Sequence, residues 1–500
     1  MTMSKRKNVL LILSDQQRPD TIGAIRQAGM PGYGLSHQAD ICRTPHIDQL
    51  AAEGLVMRNA YTCSAICAPS RASVMTGLFP HKHGVIDNFT DIKEGTPLLS
   101  ELMRDAGYYC GYSGKWHVSP GRTPEDCGFH GKAFMGYGFP GSRVFPSLIF
   151  DQPPDNQPNY YEEYLKEKGY EGIDVSHGFL GANPALQIQE MYCKHEGPIE
   201  STIEYFVAQE AIHQLDEAAS SDKPFFIWAN FWGPHSPSIV PEPYFSMYDP
   251  KDIPEHPSYR ETFEDKPYGY YLSEKMWGNG PYGWEGMADI SAKYFGHCTF
   301  IDDMVGLIVD RLKELGLYED TVIIYGADHG DCLGAHKLIE KGCFAFQEIY
   351  RVPMIIKPAN NRLGDTGRTN DGMVYLHEVM PTILDIAGIR PPKPVDGTSL
   401  LPVIDGTGEV GHQEIYGEFH DHFYHTRQRM VTDGKYWFTF NESERGELYD
   451  LEEDPWQLQN RCYDPACQDK KKELMDKLGN WMNETGDPDR IWYHRIKEYY

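Results

Sequence analysis

Short, almost wholly apolar runs alternate with amphipathic helical patterns through most of the chain, and this alternation constrains the fold more than any other feature. The strand-like runs lie at residues 8–14, 108–112, 224–231, 321–326 and 352–357. The helical patterns cover residues 45–54, 98–107, 199–218, 288–315 and 377–388. Strands that alternate with helices in this way predict a parallel, doubly wound α/β sheet with helices on both faces.

The pattern changes after about residue 400. Residues 414–418, 429–431 and 436–440 predict short antiparallel strands, and residues 467–485 predict an amphipathic helix. We therefore expect a larger α/β domain at residues 1–400 and a smaller α+β subdomain at residues 401–500. The chain of 500 residues is long enough for both.

Two stretches rich in Pro, Gly, Tyr and Phe interrupt the alternation, at about residues 119–198 and 236–285. We interpret them as surface excursions over the sheet edge, where substrate contacts often lie. The alternative is that they are irregular packing loops, which is the better interpretation for any single residue there.

The formal net charge of −27 disfavours nucleic acid and anionic membranes as partners, because both are polyanions. An anionic substrate would need a locally positive pocket. No run approaches the ~20 apolar residues of a membrane span. Residues 1–13 lack the apolar core and cleavage site of a signal peptide. We therefore expect a cytoplasmic protein whose 11 cysteines are reduced.

The segment CAPSR at residues 67–71 carries the sharpest chemical signal. A proline just after Cys67 indicates the start of a helix, and Gly77 is able to end it. The Cys67 side chain would lie at the positive end of the helix dipole, where anions bind. Arg71, one turn further on, can face the same point and pair with anionic oxygens. These residues predict an anion site with a reactive thiol, although a lone cysteine is usually just a buried apolar residue.

Polar residues follow two of the predicted strands. Asp15 and Gln16 come after residues 8–14, and Asp328 and His329 come after residues 321–326. Because the carboxyl ends of parallel strands meet at one edge of the sheet, we expect these four side chains to lie together. Oxygen donors suit Ca²⁺ or Mg²⁺, and the imidazole admits Mn²⁺ or Zn²⁺. Taken alone, either pair could instead cap a loop.

CAPSR, followed by Thr76 and Gly77, resembles the modification motif of the type I sulfatases, which belong to the alkaline phosphatase superfamily. A second family motif matches GYYCGYSGKWH at residues 107–117, with Cys110 where the family prefers Ser or Thr. Further similarity appears at residues 77–85, 381–382, 396–397 and 447–451. The resemblance implies an alkaline phosphatase-like fold, in which helices sandwich a large, mixed and mainly parallel sheet.

The resemblance also implies a mechanism. A formylglycine-generating or anaerobic sulfatase-maturating enzyme would oxidise Cys67 to formylglycine, whose hydrate supplies the hydroxyl that attacks sulfur. The modified residue would join Asp15, Gln16, Asp328 and His329 around one divalent metal. We expect Ca²⁺, with Mn²⁺, Mg²⁺ or Zn²⁺ as alternatives. Sulfatases often have a second Asp at the position of Gln16, so this site carries one negative charge less.

Four more residues take roles through the same resemblance. Lys115 would orient the hydroxyls, and His117 would help break down the covalent sulfate. His235 and Lys341 would hold the sulfate and protonate the leaving oxygen, because an alkoxide leaves poorly without a general acid. We interpret four other histidines as structural: His81, His83, His336 and His377.

The sequence therefore predicts an enzyme that hydrolyses sulfate monoesters of a small sulfated sugar or an aryl alcohol. The alternative is a phosphonate monoester or phosphodiester hydrolase, since the Asp-Gln and Asp-His pairs also resemble those relatives. An inactive binding protein is a third hypothesis, but the nucleophile, the metal set and the acid candidates are all intact. We expect specificity from the two excursions and from His420, His422 and His425. The sequence leaves open whether the protein forms a homo-oligomer.

Overall fold

The structure is a computed structural model that describes residues 6–136, 159–170, 175–179, 192–277, 283–361, 367–421 and 425–500. The strands in these ranges are β1 (Asn8–Asp15), β2 (Leu55–Tyr61), β3 (Tyr109–Lys115), β4 (His130–Phe134), β5 (Val175–Phe179), β6 (Tyr192–His195), β7 (Phe225–Pro234), β8 (Ser238–Pro241), β9 (Thr321–Ala327), β10 (Met354–Lys357), β11 (Arg368–Tyr375), β12 (Ile415–His420), β13 (Arg427–Thr432), β14 (Tyr436–Asn441) and β15 (Glu447–Asp450).

The helices in the same ranges are α1 (Gly23–Ala28), α2 (Pro45–Ala52), α3 (Cys67–Thr76), α4 (Pro80–His83), α5 (Leu99–Asp105), α6 (Tyr160–Lys168), α7 (Ile203–Ala219), α8 (Tyr268–Trp277), α9 (Gly283–Glu314), α10 (Gln347–Tyr350), α11 (Val379–Ile386), α12 (Leu401–Ile404), α13 (Gln468–Thr485) and α14 (Arg490–Ile496). Among these described helices, none is both long and apolar enough to cross a membrane.

An eight-stranded sheet organises the larger part of the molecule, in the order β11-β2-β10-β9-β1-β7-β3-β4. Its pairings are parallel except those of β10, which runs antiparallel to both β2 and β9. The predicted mixed, mainly parallel sheet is confirmed. The strand at residues 352–357 does not continue the parallel alternation, because the connection at residues 328–353 contains only short helical turns and no helix that crosses along the sheet, as a parallel return usually does.

Side chains of β1 alternate between two apolar cores, as expected for a strand buried on both faces. Leu10 and Ile12 pack with helices α2, α7 and α9 on one face, whereas Val9, Leu11 and Leu13 pack with α3, α5 and α11 on the other. The sheet is therefore sandwiched by helices, as in the alkaline phosphatase-like fold that the sequence predicts.

The first predicted excursion contributes to this sheet. Residues 130–134 form β4, which extends the sheet beyond β3, and β6 pairs in parallel with β8 from the second excursion in a separate three-stranded sheet with β5. His130, Gly131 and Lys132 in β4 conceal its apolar alternation. Much of residues 137–191 lies outside the described ranges, so their predicted substrate contacts stay a prediction.

The last hundred residues form the predicted antiparallel sheet, in the order β12-β13-β14-β15, with α13 packed against it. The fourth strand, β15, is short, and the sequence pattern alone does not predict it. Trp437 and Phe438 share one apolar core with Tyr61 and Phe79 of the larger part. The domain boundary at residue 400 stays a prediction.

Candidate active site

Two strand ends bring the metal-ligand candidates together. Strands β1 and β9 are parallel neighbours, with Ser14 opposite Ala327. Asp15 ends β1, and Asp328 and His329 follow β9, so their side chains meet at one buried edge of the sheet. The backbone N–H of Gln16 donates to the Asp328 carboxylate at 3.1 Å.

Cys67 completes this cluster from the other side. It is the first residue of α3, and Gly77 ends that helix with a left-handed φ of 68°, as the sequence predicts. The Sγ of Cys67 lies 3.2 Å from His329 Nε2 and 3.7 Å from Asp15 Oδ1. One ligand atom each from Asp15, Cys67, Asp328 and His329 falls within 4.8 Å of every other, and all four residues are buried.

Arg71 holds the two carboxylates rather than pointing at open space. Its guanidinium donates to Asp328 at 2.8 Å, to Asp15 at 3.0 Å and to Asn230 Oδ1 at 2.7 Å. The side chain is fully buried, so these charge-assisted bonds fix the position of both candidate ligands. The expectation that Arg71 pairs with substrate oxygens stays a prediction, and the geometry favours a positioning role.

Lys115 and His117 enter the site from the end of β3. The ammonium of Lys115 lies 2.6 Å from Asp15 Oδ2 and 4.6 Å from the centre of the Trp232 ring. His117 has a left-handed φ of 42°, which turns its ring toward Cys67, and its backbone N–H donates to Met135. Burial lowers the pKa of His117 to about 4, so the ring is neutral near neutral pH.

His235 and Lys341 form a hydrogen-bonded pair beside the cluster, with His235 Nε2 3.9 Å from Asp15 Oδ1. The Lys341 ammonium lies 2.5 Å from His235 Nε2, and it donates to Gln16 Oε1 at 2.6 Å. Nδ1 of His235 donates to the carbonyl of Ser236. An ammonium has no acceptor, so Lys341 donates and His235 Nε2 accepts in this pair.

The cations around Cys67 determine its reactivity. Burial disfavours the thiolate, but the charges of Lys115, Lys341 and His329 outweigh burial and hold the pKa of the Cys67 thiol well below its ordinary value. The cations Lys115 and Lys341 therefore lie beside Cys67 although the formal net charge of the chain is −27, and buried carboxylates share the site with them.

Comparison with known proteins agrees with this geometry. The family model described as Sulfatase matches residues 7–389, and the model of the N-sulphoglucosamine sulphohydrolase C-terminal region matches residues 334–484. The chain belongs to the sulfatase family. It is therefore a hydrolase of the sulfuric ester class, and the resemblance that the sequence motifs indicated is confirmed.

Relatives cover nearly the whole of this sulfatase family member. An arylsulfatase of Clostridium perfringens (strain 13 / Type A) is 31% identical over 465 residues, which cover 91% of this chain and 90% of that protein. A multifunctional alkaline phosphatase superfamily protein, PehA, of Trinickia caryophylli is 28% identical, with 96% of each chain covered. The phosphonate monoester hydrolase structure of Agrobacterium radiobacter has a TM-score of 0.77 at 23% identity, with 96% of each chain covered. That likeness shows the shared fold.

Sequence reasoning missed three side chains that complete the site of this sulfatase. Asn230 lies inside the strand run of β7, and Asp331 and Glu340 lie in the loop after His329. Asn230 accepts from Arg71, Asp331 accepts from Gln16 Nε2 at 2.6 Å, and Glu340 accepts from Lys341 at 3.0 Å. A polar residue within an otherwise apolar strand was the available signal for Asn230, whereas no spacing pattern distinguishes Asp331 or Glu340.

The four histidines expected to be structural have structural partners or apolar surroundings. His81 contacts Glu418, and His83 contacts Ser73 at 2.9 Å. His336 stacks on an aromatic ring and bonds to a carboxylate, and His377 packs between aromatic rings. His420 is also buried, with its ring 2.7 Å from Glu418. His422 lies outside the described residues, and the specificity role of this cluster stays a prediction.

Proposed function

We propose that this sulfatase family member hydrolyses sulfate monoesters with formylglycine made from Cys67, beside one divalent metal. The observation that carries the proposal is the position of Cys67. It lies at the first turn of a buried helix, against candidate metal ligands, with two lysines nearby. Here the Sγ atom stands in for the oxygen that a formylglycine would carry. A formylglycine-generating or anaerobic sulfatase-maturating enzyme would be its modification partner.

The donor set fits a divalent metal. Asp15 and Asp328 supply carboxylates, Gln16 an amide oxygen and His329 an imidazole, and this set suits Ca²⁺, with Mn²⁺, Mg²⁺ and Zn²⁺ as alternatives. Burial and the neighbouring Asp15 carboxylate raise the pKa of Asp328, so the site favours additional positive charge. When bound, the metal would supply that charge to the nucleophile and to a sulfate oxygen.

Different residues of the chain would then carry out the individual steps. Lys115 would orient the hydroxyls of the hydrated formylglycine, one of which attacks sulfur while the S–O bond to the alcohol breaks. His117 lies against Cys67 and is neutral because burial lowers its pKa to about 4, so it can accept the proton of the second hydroxyl. As the deprotonated second oxygen forms the C=O bond, the C–O bond to the sulfated first oxygen breaks, so sulfate departs and the aldehyde is restored for hydration by water.

The departing oxygen also needs a proton. His235 Nε2 and the Lys341 ammonium, which share a hydrogen bond beside Asp15, would supply it. The leaving oxygen keeps the electron pair of the broken S–O bond and takes a proton from this pair. The positive charge of Lys341 would also attract the sulfate oxygens.

The proposed substrate is a small sulfated sugar or an aryl sulfate. The arylsulfatase relative supports this class. A phosphonate monoester or phosphodiester hydrolase is the second candidate, because the phosphonate monoester hydrolase of Agrobacterium radiobacter has the same fold. A cytoplasmic location and any homo-oligomer are further predictions.

The test compares rates on a nitrophenyl sulfate, sugar sulfates and a phosphonate monoester, with enzyme in which conversion of Cys67 is complete by peptide mass. We expect the highest kcat/KM on a sulfate ester. A phosphonate preference would replace the proposed function by the second candidate. Full activity with an unmodified Cys67 thiol would exclude the formylglycine mechanism.

A further inference from the structure

Glu340 occupies a constrained position in the loop between the metal-ligand candidates and Lys341. Its φ of 65° lies in the left-handed region, which is unfavourable for a residue with a side chain. Its N–H donates to Asp331 Oδ1 at 3.0 Å, and its carbonyl accepts from Cys332 at 3.1 Å. The surrounding loop therefore holds Glu340 in a backbone conformation that it would otherwise avoid, a situation found at functional sites.

The buried Glu340 carboxylate bridges two loops. One oxygen accepts from the Lys341 ammonium at 3.0 Å, and the other accepts from the hydroxyl of Ser236. Ser236 directly follows His235, so a single carboxylate joins the two segments that carry the leaving-group acid candidates. The side chain of Glu340 is 2% exposed, so water does not weaken these bonds.

The bridge also sets the direction of each Lys341 N–H. An ammonium has three N–H donors, and the three described partners are Gln16 Oε1, His235 Nε2 and Glu340 Oε2. Glu340 is the anionic partner of the three. Without it, the ammonium would be free to turn away from His235.

We propose that Glu340 is a positioning residue that aligns Lys341 with His235 for protonation of the leaving oxygen. This inference rests on the proposed function, because it concerns the same reaction. Glu340 itself does not touch the reacting atoms. It acts by fixing the ammonium through one carboxylate oxygen and the His235 loop through the other.

The experiment measures kcat/KM for a series of sulfate esters whose leaving groups have graded pKa values, with metal-loaded and fully converted enzyme. We expect Glu340→Ala to slow alkyl sulfates at least ~10-fold more than nitrophenyl sulfate, because only the poor leaving groups need the proton. Glu340→Gln keeps a similar shape and a hydrogen-bond acceptor, so we expect partial rescue.

The matched control is Glu378→Gln, which also removes a buried carboxylate. Glu378 accepts from Thr398 and Tyr375 and contacts His412, remote in sequence from the 331–341 loop. We expect this variant to keep the leaving-group dependence of the wild type. Unfolding curves and metal content are measured for all variants together with the rates. If Glu340→Ala does not fold, the leaving-group dependence of Glu340→Gln is the test.

A double-mutant cycle with His235→Ala separates positioning from a merely structural role. If Glu340 acts through the Lys341–His235 pair, its removal should cost less in the His235→Ala background than in the wild type. A loss that is equal across all leaving groups, or fully additive losses, would overturn the proposal. Should the wild type hydrolyse phosphonates but no sulfates, the proposed function fails, and a graded phosphonate series then tests Glu340 independently.

Discussion

Cys63 and Cys67 are both buried and lie four residues apart, but their thiols have different neighbours. Burial raises the pKa of the Cys63 thiol, whose Sγ lies 3.3 Å from the Ser73 hydroxyl. Burial alone would do the same to Cys67, yet Lys115 and Lys341 reverse the shift. The position of a side chain among charges, rather than its burial, therefore distinguishes the candidate nucleophile.

Cys67→Ala should lower kcat at least ~10³-fold while the protein stays folded, because the covalent route is removed. Cys63→Ala is the matched control and should keep most of the activity, since its thiol contacts Ser73 outside the cluster. Steady-state kinetics and circular dichroism check both variants. Comparable losses for the two would argue against Cys67 as the source of the nucleophile.

Asp15→Ala and Asp328→Ala should each lose bound metal together with at least ~100-fold of kcat/KM. A loss of about 100-fold is the largest typical effect of removing a residue that only hydrogen-bonds to a metal ligand. Asp15 and Asp328 would bind the metal directly, so we expect at least that loss. Metal analysis after dialysis, paired with rates, gives the measurement. Asp371→Ala, which removes an exposed partner of Arg58, serves as the control. Stoichiometric metal in both site variants would refute this ligand set.

His235→Ala should slow sugar or alkyl sulfates at least ~10-fold more than activated aryl sulfates, since a nitrophenolate leaves with little need of an acid. Lys341→Ala should combine this selective loss with weaker substrate binding, because its positive charge would also attract the sulfate. The readout is kcat/KM over a leaving-group series. An even loss for His235→Ala would move the acid role to Lys341 or to a water molecule.

At the scale of elements, the end of β9 and the loop that follows it are packed too tightly for a larger residue at position 330. A Cβ added to Gly330 would lie 1.9 Å from the carbonyl oxygen of Glu348. Glycine is required here by close backbone approach, one residue after His329. The backbone next to the metal-ligand candidates Asp328 and His329 therefore depends on this close contact.

Gly330→Ala should lower the free energy of unfolding by about 3 kcal/mol, because backbone atoms must move apart, and metal binding should weaken with it. Gly486→Ala provides the comparison. Gly486 ends α13 at a φ of 75° with nothing within 4 Å of an added Cβ, so only the left-handed conformation is penalised, by about 1–2 kcal/mol. Urea unfolding of both variants tests the ranking, and equal losses would contradict it.

On the scale of the whole molecule, the C-terminal sheet packs against the segment that leads into the nucleophile helix. The N–H of Glu418 donates to the carbonyl of Cys63 at 2.8 Å. Next to it, the two ring nitrogens of His81 face the Glu418 carboxylate, at 2.6 Å, and the carbonyl of Thr485, at 3.3 Å. Both partners are acceptors, so His81 is a charged imidazolium that joins the two parts of the chain.

The stabilisation by His81 should therefore depend on pH. Burial alone would lower the pKa of His81, but Glu418 raises it above the ordinary value near 6.5. The contribution is thus complete below pH ~6.5 and is lost as the pH rises through the higher folded-state pKa. We expect the stability difference between wild type and His81→Gln, from urea unfolding, to shrink in that direction.

His83 gives a control of opposite sign. It accepts a hydrogen bond from the Val85 N–H, and burial lowers its pKa to about 3. Its contribution is therefore present above pH ~6.5 and is lost as the pH falls toward 3. The difference between wild type and His83→Gln should shrink toward acid. A pH-independent difference for His81→Gln would mean that His81 is neutral in the folded protein.

The sequence alone indicated the family, five of the eight strands of the large sheet and most of the candidate site residues, but it did not predict β2, β4 or β11. Local patterns are sufficient for this, because apolar periodicity indicates which side chains are buried. The CAPSR motif also places its reactive cysteine and its arginine within about one helical turn. Asp15 and Asp328 could be placed together in advance since neighbouring parallel strands end at a common edge.

Only the tertiary structure decided which groups those residues face. The reversed direction of β10, the position of β4 at the sheet edge and the bridge from Glu340 to Ser236 all depend on partners far apart in the chain. Arg71 is the clearest case: a helix position four residues after Cys67 leaves its direction open, and contacts with Asp15 and Asp328 determine it. Apolar periodicity in the sequence indicates that a side chain is buried, but tertiary packing determines which side chains it contacts.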